Sequence, residues 1–371
     1  MAPSVLPWPA VTDELGPVKV VLVRDATAGL DAVVVVDNTA CGPAIGGIRM
    51  ASDVSAPEVA RLARAMTFKN AAAGLSHGGG KAGILADPRM PAAEKVRLVR
   101  AFGRAIRDLV EYIPGPDMGT DEACMAHLHD EIGRAVGLPR VLGGIPLDAI
   151  GATGFGLAIA AEVAEEFAGI RLRGARIAIQ GFGAVGRHAA RFLAARGAAL
   201  VAAADSRGAV VNPDGLDVAR LITFKERGGS LREFPGGAPL AADELVGVDC
   251  EIWIPAARPD VLDATNASRL RAKLVLQGAN IPATAEAEAM LHARDVVSVP
   301  DFIANAGGVI CAAVEYHGGT ETQAFVVIEE KIRANTRAVL QRARDGGLLP
   351  RAAAEQLARE RVAEAAGYRH R

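Results

Sequence analysis

The sequence predicts an α/β protein built from two domains, the second of which contains a doubly wound sheet. The length of 371 residues exceeds what one compact core normally encloses, which favours two domains. In the second half of the chain, short β-branched segments alternate with helical segments, the pattern of parallel strands joined by helices. The first half instead opens with two strands and continues with amphipathic helices, which indicates a separate, mixed α/β domain.

The first predicted domain covers residues 1–147 and combines strands with helices. A helix is indicated where apolar residues recur at helical spacing between Pro57, near its start, and Gly74, where it ends. The next amphipathic segment is ended by the Pro-Gly-Pro of residues 114–116. The elements predicted in this domain are strands at 19–23 and 32–38, helices at 57–73 and 91–112, and a helix from 120 onward.

The second predicted domain covers residues 148–329 and begins within a segment rich in Gly and Pro at 143–154. Strands are predicted at 176–180, 199–204, 250–254, 274–276 and 296–299. One helix is predicted at 155–167, and a second follows the glycine turn at 181–186 and runs to residue 196. Charged helices at 322–344 and 351–366 end the chain, and residues 330–371 are predicted to rejoin the first domain.

Composition argues against two classes of partner. Half of the residues are hydrophobic, 23% are charged and the formal net charge is −2, so the chain lacks the basic field expected of a nucleic-acid-binding protein. Its longest apolar stretches fall far short of the ~18 residues that a membrane-spanning helix needs. The first residues, MAPSVLPWPAVTDE, lack the basic start and apolar run of a secretory signal, so the expected location is cytoplasmic.

No metal site is predicted. The four cysteines are widely scattered and form no Cys-x-x-Cys pair, so they are expected to be buried thiols; they are Cys41, Cys124, Cys250 and Cys311. Asp121, Cys124 and His127 can share one helical face and imitate metal ligands, but that helix needs no metal to explain it.

A glycine-rich turn, GFGAVG, follows the predicted strand at 176–180 and opens the next helix. Gly181 permits a tight turn, Gly183 lets the backbone approach a pyrophosphate, and Gly186 lets the helix pack on the strand. The helix N-terminus attracts phosphate groups. This context predicts a Rossmann-type dinucleotide-binding domain, whose cofactor contacts come from Gly181, Phe182, Gly183, Ala184, Val185 and Gly186. The alternative is a tight turn without a ligand.

Asp205 stands at the end of the strand after this turn, where a carboxylate can accept hydrogen bonds from both hydroxyls of an adenosine ribose. The cofactor predicted on this ground is NAD, with Asp205 and Ser206 among its contacts. Ser206 and Arg207 can instead hold a 2′-phosphate if Asp205 turns aside, so NADP stays an alternative.

Three motifs concentrate glycines and polar residues in the first domain: GPAIGGIR at 42–49, MTFKNAAAGLSHGGGKAGI at 66–84 and GPDMGT at 115–120. The glycines before Lys81 suggest a phosphate-binding loop. Such a loop needs Ser or Thr next to the lysine to hold magnesium, and this chain has Ala82 there. These motifs are therefore expected to serve another chemistry.

Two lysines and one aspartate of these motifs form the candidate reaction centre. Lys69 lies near the end of a predicted helix and Lys81 just past a glycine turn, so the chain can bring two ammonium groups into one cleft. One can bind a substrate carboxylate while the other acts as a base. Asp117, in a loop made rigid by Pro116 and Gly119, can move protons there. Taken singly, each lysine can be a solvated surface charge and Asp117 a helix N-cap.

These motifs, in this order, resemble those of the glutamate, leucine, phenylalanine and valine dehydrogenase superfamily, and the resemblance covers most of the chain. Further landmarks are ATGFG at 152–156, QGAN at 277–280 and PDFIANAGGV at 300–309. The resemblance implies oxidative deamination of an L-amino acid to a 2-oxo acid and ammonia. It implies that Lys69 binds the substrate carboxylate, Lys81 activates water and Asp117 shuttles protons.

The same resemblance implies further features of the site and the assembly. Gly46 and Gly47 are expected to line the substrate, and Thr153, Asn280 and Asn305 to stand near the nicotinamide or the amino group. A deep cleft between the two domains and a homo-oligomer built through the first domain are also implied.

Two departures from the glutamate branch bear on the substrate. That branch has a lysine that pairs with the side-chain carboxylate where this chain has Ile45, and an assisting serine where it has Ala312. Because a buried carboxylate without partners is strongly disfavoured, an apolar substrate, branched-chain or aromatic, is predicted. Its pocket is expected to be shaped by Ile45, Gly115, Val309 and Ala312. The cofactor half resembles the glutamate branch more closely, so glutamate dehydrogenase is the alternative.

Functions of two other classes are weaker alternatives. A non-catalytic NAD-binding regulator would not need to retain Lys69, Lys81 and Asp117. A 2-hydroxy-acid dehydrogenase usually needs a catalytic histidine with a carboxylate partner. His77, the candidate beside the glycines, is expected only to fill its loop.

Overall fold

Contacts between residues divide the chain into two units. The computed structural model describes residues 12–368. The prediction of a cytoplasmic location used residues 1–14, and of these only the last three lie in the described part. The first unit contains the described residues up to Pro146, Val309–Ala324 and those from Leu357 onward; the second contains Leu147–Gly308 and Phe325–Gln356. We predicted that 330–371 join the first domain, whereas contacts group 325–356 with the second unit. The predicted division by function stays a prediction.

The first unit contains a five-stranded mixed sheet with helices on both faces. Its strands lie in the order β1-β2-β4-β3-β5; the β1–β2 and β2–β4 pairs are antiparallel, whereas β3 is parallel to both β4 and β5. The elements are β1 (Lys19–Asp25), β2 (Leu30–Asn38), β3 (Ala44–Ala51), α1 (Ala56–Ala72), β4 (Gly78–Leu85), α2 (Ala92–Ala105), β5 (Tyr112–Pro116) and α3 (Glu122–Ile132).

Alternation of side chains along the strands gives this sheet two different faces. Ile48, Met50 and Ala82 point to a large apolar core that includes buried residues of α2 and α3. Residues at the alternate positions of the same strands, such as Ile45 and Lys81, therefore belong to the opposite face. Helix α1 packs on that face through an apolar cluster with β2.

Two segments of the first unit differ from the prediction. The glycines before Lys81 do not form a turn, because Gly78–Leu85 is strand β4. A Cβ atom on Gly79 would lie 2.0 Å from the Thr67 nitrogen, so glycine lets helix α1 approach the sheet. The helix predicted over 91–112 ends at Ala105, and the Pro-Gly-Pro segment is the end of β5. Prolines are tolerated there because β5 is an edge strand.

The second unit contains a seven-stranded sheet in the order β12-β11-β10-β6-β7-β8-β9. From residue 147 onward the elements are α4 (Leu147–Ile150), α5 (Ala152–Ala168), β6 (Arg176–Gln180), α6 (Ala184–Ala194), β7 (Ala199–Asp205), β8 (Gly208–Val211), α7 (Val218–Glu226), β9 (Ala238–Leu240), β10 (Ile252–Pro255), β11 (Leu274–Leu276), α8 (Ala285–His292), β12 (Val297–Val299), α9 (Asp301–Ala304), α10 (Gly307–Tyr316), α11 (Glu321–Gly346) and α12 (Pro350–Gly367). Most of α10, the first residues of α11 and the second half of α12 belong to the first unit. In residues 12–368, no helix is long and apolar enough to cross a membrane.

The sheet of the second unit is parallel at its centre and antiparallel at one edge. Strands β12, β11, β10, β6 and β7 are parallel, as the alternation of strands and helices predicted. Strands β8 and β9 add an antiparallel edge because only Ser206 and Arg207 separate β7 from β8, too few residues for a crossover. The strand order reverses beside β6, which places a ligand-binding crevice at its carboxyl end.

Candidate active site

Lys81 and Asp117 form an ion pair on one face of the first sheet. Lys81 lies in the middle of β4 and Asp117 directly follows β5, and the distance from Lys81 Nζ to Asp117 Oδ2 is 2.8 Å. The Lys81 side chain is 8% exposed and that of Asp117 is 23% exposed, so the pair is shielded but accessible. The two predicted catalytic residues are thus brought together.

Strand β3 runs between the two members of this pair, and its glycines leave room for them. A Cβ atom on Gly47 would lie 2.7 Å from the Asp117 Cβ and 3.3 Å from the Lys81 Nζ. A Cβ atom on Gly46 would lie 1.6 Å from the Gly80 carbonyl oxygen. Gly47 therefore borders the reactive groups directly, whereas Gly46 permits the close packing of β3 on β4.

The loop that carries Asp117 is fixed by hydrogen bonds to β3. The Asp117 N–H donates to Thr120 Oγ1, which in turn donates to the carbonyl oxygen of Ile48 at 2.8 Å. Gly119 has a φ of +84° and passes close to the backbone of Met50, so a side chain there would be strained. The alternative role of Asp117 as a helix N-cap is wrong, since the carboxylate at the start of α3 belongs to Asp121.

Two cations hold the Asp117 carboxylate in its ionised form. Burial raises the pKa of Asp117, but the charges of Lys81 and Arg49 outweigh burial and lower it below its ordinary value. The Arg49 Nε donates to the same oxygen, Oδ2, at 3.2 Å, and its Nη1 donates to Glu58. A carboxylate held in this way can accept a proton from a neighbouring group and return it.

Lys69 lies in the last turn of α1 and is half-buried. The side chain of the next residue, Asn70, donates to the Gly78 carbonyl oxygen at 2.6 Å and fixes the end of the helix against β4. The end of α1 that carries Lys69 is therefore anchored to β4 at Gly78, three residues before Lys81. The convergence of both ammonium groups on one substrate stays a prediction.

An apolar cluster contains two of the residues predicted to shape a substrate pocket. Ile45 and Ala312 pack with Ile113 and Val136, and all four are buried. Gly115 borders this cluster, because a Cβ atom on it would lie 3.0 Å from Val136 Cγ2. The remaining predicted pocket residue, Val309, is half-buried near the start of α10.

The GFGAVG turn has the geometry of a phosphate cradle. Gly181 has a φ of +98°, and a Cβ atom on Gly186 would lie 1.9 Å from the Gly181 carbonyl oxygen, so both positions require glycine. Gly183 caps α6 and faces open space, and it has no side chain to accept hydrogen bonds from the first turn. The backbone N–H groups in the first turn of α6 are therefore free of a side-chain cap and can bind a pyrophosphate, so the residues of this turn fit a dinucleotide. Phe182 is buried, whereas Ala184 and Val185 are half-buried in that turn.

Asp205 ends β7 as predicted, but its carboxylate already has partners within the protein. Lys225 donates to Oδ2, the Leu231 N–H donates to the same oxygen at 3.2 Å, and the Arg207 N–H donates to Oδ1 at 2.8 Å. Burial raises the pKa of Asp205, while the Lys225 hydrogen bond leads the effects that lower it overall. Ser206 is exposed beside this group. The contact of Asp205 with a ribose stays a prediction.

The QGAN and PDFIANAGGV motifs meet in the second unit. The Asn305 Nδ2 donates to Asn280 Oδ1 at 3.1 Å and to the Ala279 carbonyl oxygen at 3.2 Å. The Asn305 Oδ1 is buried and has no hydrogen-bond partner among the described residues, so it can accept from a ligand amide. Thr153 lies near the start of α5, and a Cβ atom on Gly308 would lie 3.2 Å from its Oγ1.

The sequence interpretation missed Arg49, Val136 and Lys225. Arg49 belongs to the GPAIGGIR motif, and alternation along β3 puts it on the same face as Ile45, so this signal was available. Val136 and Lys225 lie in no motif, and only the folded chain shows their contacts. In the described part of the chain, no group of three His, Cys, Asp or Glu side chains has a metal-binding arrangement.

A glycine cradle opening a Rossmann-type helix and a paired lysine and carboxylate define an NAD(P)-dependent dehydrogenase. The chain belongs to the Glutamate/Leucine/Phenylalanine/Valine dehydrogenase family, whose sequence profile matches residues 143–369. The family's N-terminal profile, described as the Glu/Leu/Phe/Val dehydrogenase dimerisation domain, matches residues 17–134. The chain is therefore an amino acid dehydrogenase with the two-domain α/β fold of this family.

Named relatives include enzymes that differ in substrate. The chain is 37% identical over 323 residues to a glutamate dehydrogenase of Aeropyrum pernix, a match that covers 82% of this chain and 77% of the relative. The leucine-bound hetero-hexameric glutamate dehydrogenase of Thermus thermophilus has a TM-score of 0.84 and 32% identity, covering 96% of this chain and 90% of that one. An L-tryptophan dehydrogenase of Nostoc punctiforme has a TM-score of 0.75 and 25% identity, covering 95% and 97%.

Proposed function

We propose that this amino acid dehydrogenase acts on an apolar L-amino acid, branched-chain or aromatic. It converts the amino acid to the 2-oxo acid and ammonia with reduction of NAD, and it catalyses the reverse reductive amination. The observation that supports this substrate class is the cluster of Ile45, Ile113, Val136 and Ala312. A glutamate carboxylate inserted there would meet four apolar side chains, and a buried charge without a partner costs several kcal/mol.

The second candidate is glutamate dehydrogenase, and the comparisons favour it over an apolar substrate. The relative from Aeropyrum pernix and the structure from Thermus thermophilus both carry that name. The tryptophan dehydrogenase of Nostoc punctiforme shows that apolar substrates also occur on this fold. We give more weight to Ile45 and Ala312, because these two side chains belong to the apolar cluster where we expect the substrate side chain, whereas overall identity reflects the whole chain.

In the proposed mechanism each charged group has one task. Lys69 binds the substrate carboxylate and fixes the α-carbon, while the Gly46 and Gly47 backbone leaves room for the substrate beside it. NAD, when bound, accepts the hydride from the α-carbon. Lys81, acting as the general base, takes a proton from the water that attacks the resulting iminium carbon. Asp117, 2.8 Å from Lys81, accepts that proton and returns it to the departing amine.

We propose NAD as the preferred cofactor, held by the GFGAVG turn and by Thr153, Asn280 and Asn305. Asp205 supports NAD because a carboxylate at the end of β7 repels a 2′-phosphate. Lys225 limits this preference, since it neutralises Asp205 and can itself pair with a phosphate. We expect NADP to be a weaker substrate rather than an excluded one.

We further propose that the chain assembles into a homo-oligomer through its first domain. The match of residues 17–134 to a dimerisation domain supports this assembly. The chain's own partners are then a second copy, an amino acid or 2-oxo acid, and ammonia.

The function is tested by following nicotinamide reduction with a panel of L-amino acids, each with NAD and with NADP. We expect turnover of leucine, valine or phenylalanine with NAD, and little turnover of glutamate. Strong turnover of glutamate alone establishes the second candidate instead. Lys81→Ala is expected to abolish turnover with every amino acid, and an active Lys81→Ala variant contradicts the proposed mechanism.

A further inference from the structure

We propose that Arg351 is a positioning residue for the reaction, which orients Asn280 through Asp301. Arg351 lies near the start of α12 and belongs to the second unit, as Asn280 does. This inference rests on the proposed function, in which Asn280 contacts the nicotinamide or the substrate amino group. No motif of the sequence pointed to Arg351.

The guanidinium of Arg351 joins three side chains of the segment 277–301, which lies at least 50 residues before it in the sequence. Its Nε donates to both carboxylate oxygens of Glu288, at 2.8 and 3.0 Å. Its Nη2 donates to Asp301 Oδ1 and to Gln277 Oε1, each at 2.9 Å. The side chains of Glu288 and Asp301 are 7% and 8% exposed. One half-buried cation therefore serves two buried carboxylates and the amide that begins the QGAN motif.

Asp301 passes this constraint to the residue that follows Asn280. Its second oxygen, Oδ2, accepts a hydrogen bond from the Ile281 N–H at 2.9 Å. Ile281 has a φ of +48°, a conformation that a β-branched residue adopts only when its surroundings hold it there. The hydrogen bond to Asp301 provides that hold. Asn280 is thus bounded on its C-terminal side by a strained residue fixed to the Arg351 network.

Gln277 applies the same constraint from the other end of the motif. Its Oε1 accepts from Arg351 and from the Asp301 N–H at 3.2 Å, while its Nε2 donates to Glu288 Oε1 at 2.7 Å. The segment 277–281 is therefore held at both ends by groups that Arg351 binds. Between these ends, Asn280 is exposed and directs its Oδ1 to Asn305, which leaves its amide hydrogens available to a ligand.

The arrangement requires an arginine because a planar guanidinium can donate to several acceptors in fixed directions. A lysine keeps the charge but cannot bind Glu288, Asp301 and Gln277 with the same geometry. Without the cation, Glu288 and Asp301 become two buried carboxylates close to one another. They are expected to separate or to take up a proton, and the Asp301 bond to Ile281 is expected to loosen.

A double-mutant cycle on the full-length enzyme tests the inference. Arg351→Met is expected to lower kcat on the order of tenfold to a hundredfold, the effect of a small displacement of a contacting group, while the amino-acid KM changes less than about threefold. In an Asn280→Ala background, Arg351→Met is expected to lower kcat by less than about twofold, because its effect acts through Asn280. The melting temperature is expected to fall equally in both backgrounds.

Arg333→Met is the matched control. Arg333 also lies in the second unit and pairs with Glu162 and Glu329, outside the network. It is expected to keep the parental kcat. Arg351→Lys keeps the charge and serves where Arg351→Met yields too little folded protein; it is expected to show the same dependence on Asn280.

The outcomes separate the inference from the function on which it rests. A parent enzyme without NAD-linked turnover of any amino acid removes the proposed function and the inference with it. An active parent in which Arg351→Met or Arg351→Lys retains the parental kcat overturns the inference alone. The same holds if the loss of kcat is equally large with and without the Asn280 side chain.

Discussion

The Lys81 ammonium lies 2.8 Å from the Asp117 carboxylate, although Lys81 lies in β4, Asp117 directly follows β5, and these two strands are not neighbours in the sheet. Strand β3 separates β4 from β5, and its residue at the crossing point is Gly47. The pair can form only because no side chain stands between the two strands. A proton can therefore pass between Lys81 and Asp117 without an intervening water.

The first prediction concerns this crossing point. Gly47→Ala is expected to push Asp117 away from Lys81, since the new Cβ would lie 2.7 Å from the Asp117 Cβ. We expect kcat/KM to fall on the order of 10²-fold, as general acid–base groups typically contribute that much. Steady-state kinetics of the purified variant measure the effect. Gly247→Ala is the control, because the space beside Gly247 is open; equal activities of both variants would show that Gly47 is not needed.

Local patterns predicted the elements that depend on a local cause. Gly181 and Gly186 fit a turn whose sequence signal comes from backbone sterics, and both were predicted correctly as positions requiring glycine. The segment 91–112 was predicted to be one helix because its periodicity continues, yet the chain leaves the helix after Ala105 and pairs Tyr112 with Ala44. That pairing depends on a partner far away in the sequence, which no window of local residues contains.

The same distinction applies to the site. Lys81 and Asp117 were predicted to converge from their motifs, and alternation along β3 would also have indicated Arg49. The ion pair of Asp205 was not predicted, because its partner Lys225 lies on α7, after β8. Long-range ion pairs of this kind depend on the register of whole elements, and their partners carry no signature of their own.

The second prediction concerns pH and the buried histidine that precedes β4. Burial lowers the pKa of His77 below its usual value near 6.5, His317 lowers it further, and the contact with the Pro43 carbonyl oxygen opposes both. The unfolded chain therefore binds a proton more readily, so the contribution of neutral His77 to stability is complete above about pH 6.5 and is lost as the pH falls below it.

This linkage is measured as a difference in melting temperature between the parent and His77→Gln. The difference is expected to be largest near neutral pH and to shrink as the pH is lowered towards 5, because only the parent loses this contribution. His292→Gln, in an exposed position at the end of α8, is the control. A parent whose advantage over His77→Gln grows at low pH would show that the histidine is stabilised in its charged form.

The third prediction concerns cofactor choice. Lys225→Met is expected to raise the ratio of kcat/KM with NAD to that with NADP by about tenfold or more, equivalent to ~1.4 kcal/mol. The reason is that a 2′-phosphate would then face the Asp205 carboxylate without the neighbouring ammonium. Arg220→Met removes an exposed charge from the same helix and is expected to leave the ratio unchanged. A lower ratio in Lys225→Met would mean that the lysine assists NAD.

The last prediction concerns the pocket that decides the substrate. Ile45→Lys combined with Ala312→Ser puts a cation and a hydroxyl into the apolar cluster with Ile113 and Val136. Glutamate then gains partners for its side-chain carboxylate, whereas an apolar substrate leaves the new ammonium buried and unpaired. The ratio of glutamate turnover to turnover of the best apolar amino acid is expected to rise at least about tenfold, because an unpaired buried charge costs more than ~1.4 kcal/mol.

The control for this pocket is Ile45→Met, which changes shape while keeping the cluster apolar and should preserve the parental preference. Both variants are assayed with the same amino-acid panel at saturating NAD. If the ratio is unchanged in the doubly substituted enzyme, Ile45 and Ala312 do not contact the substrate side chain. The argument for an apolar substrate then loses its basis, and glutamate becomes the better-supported candidate.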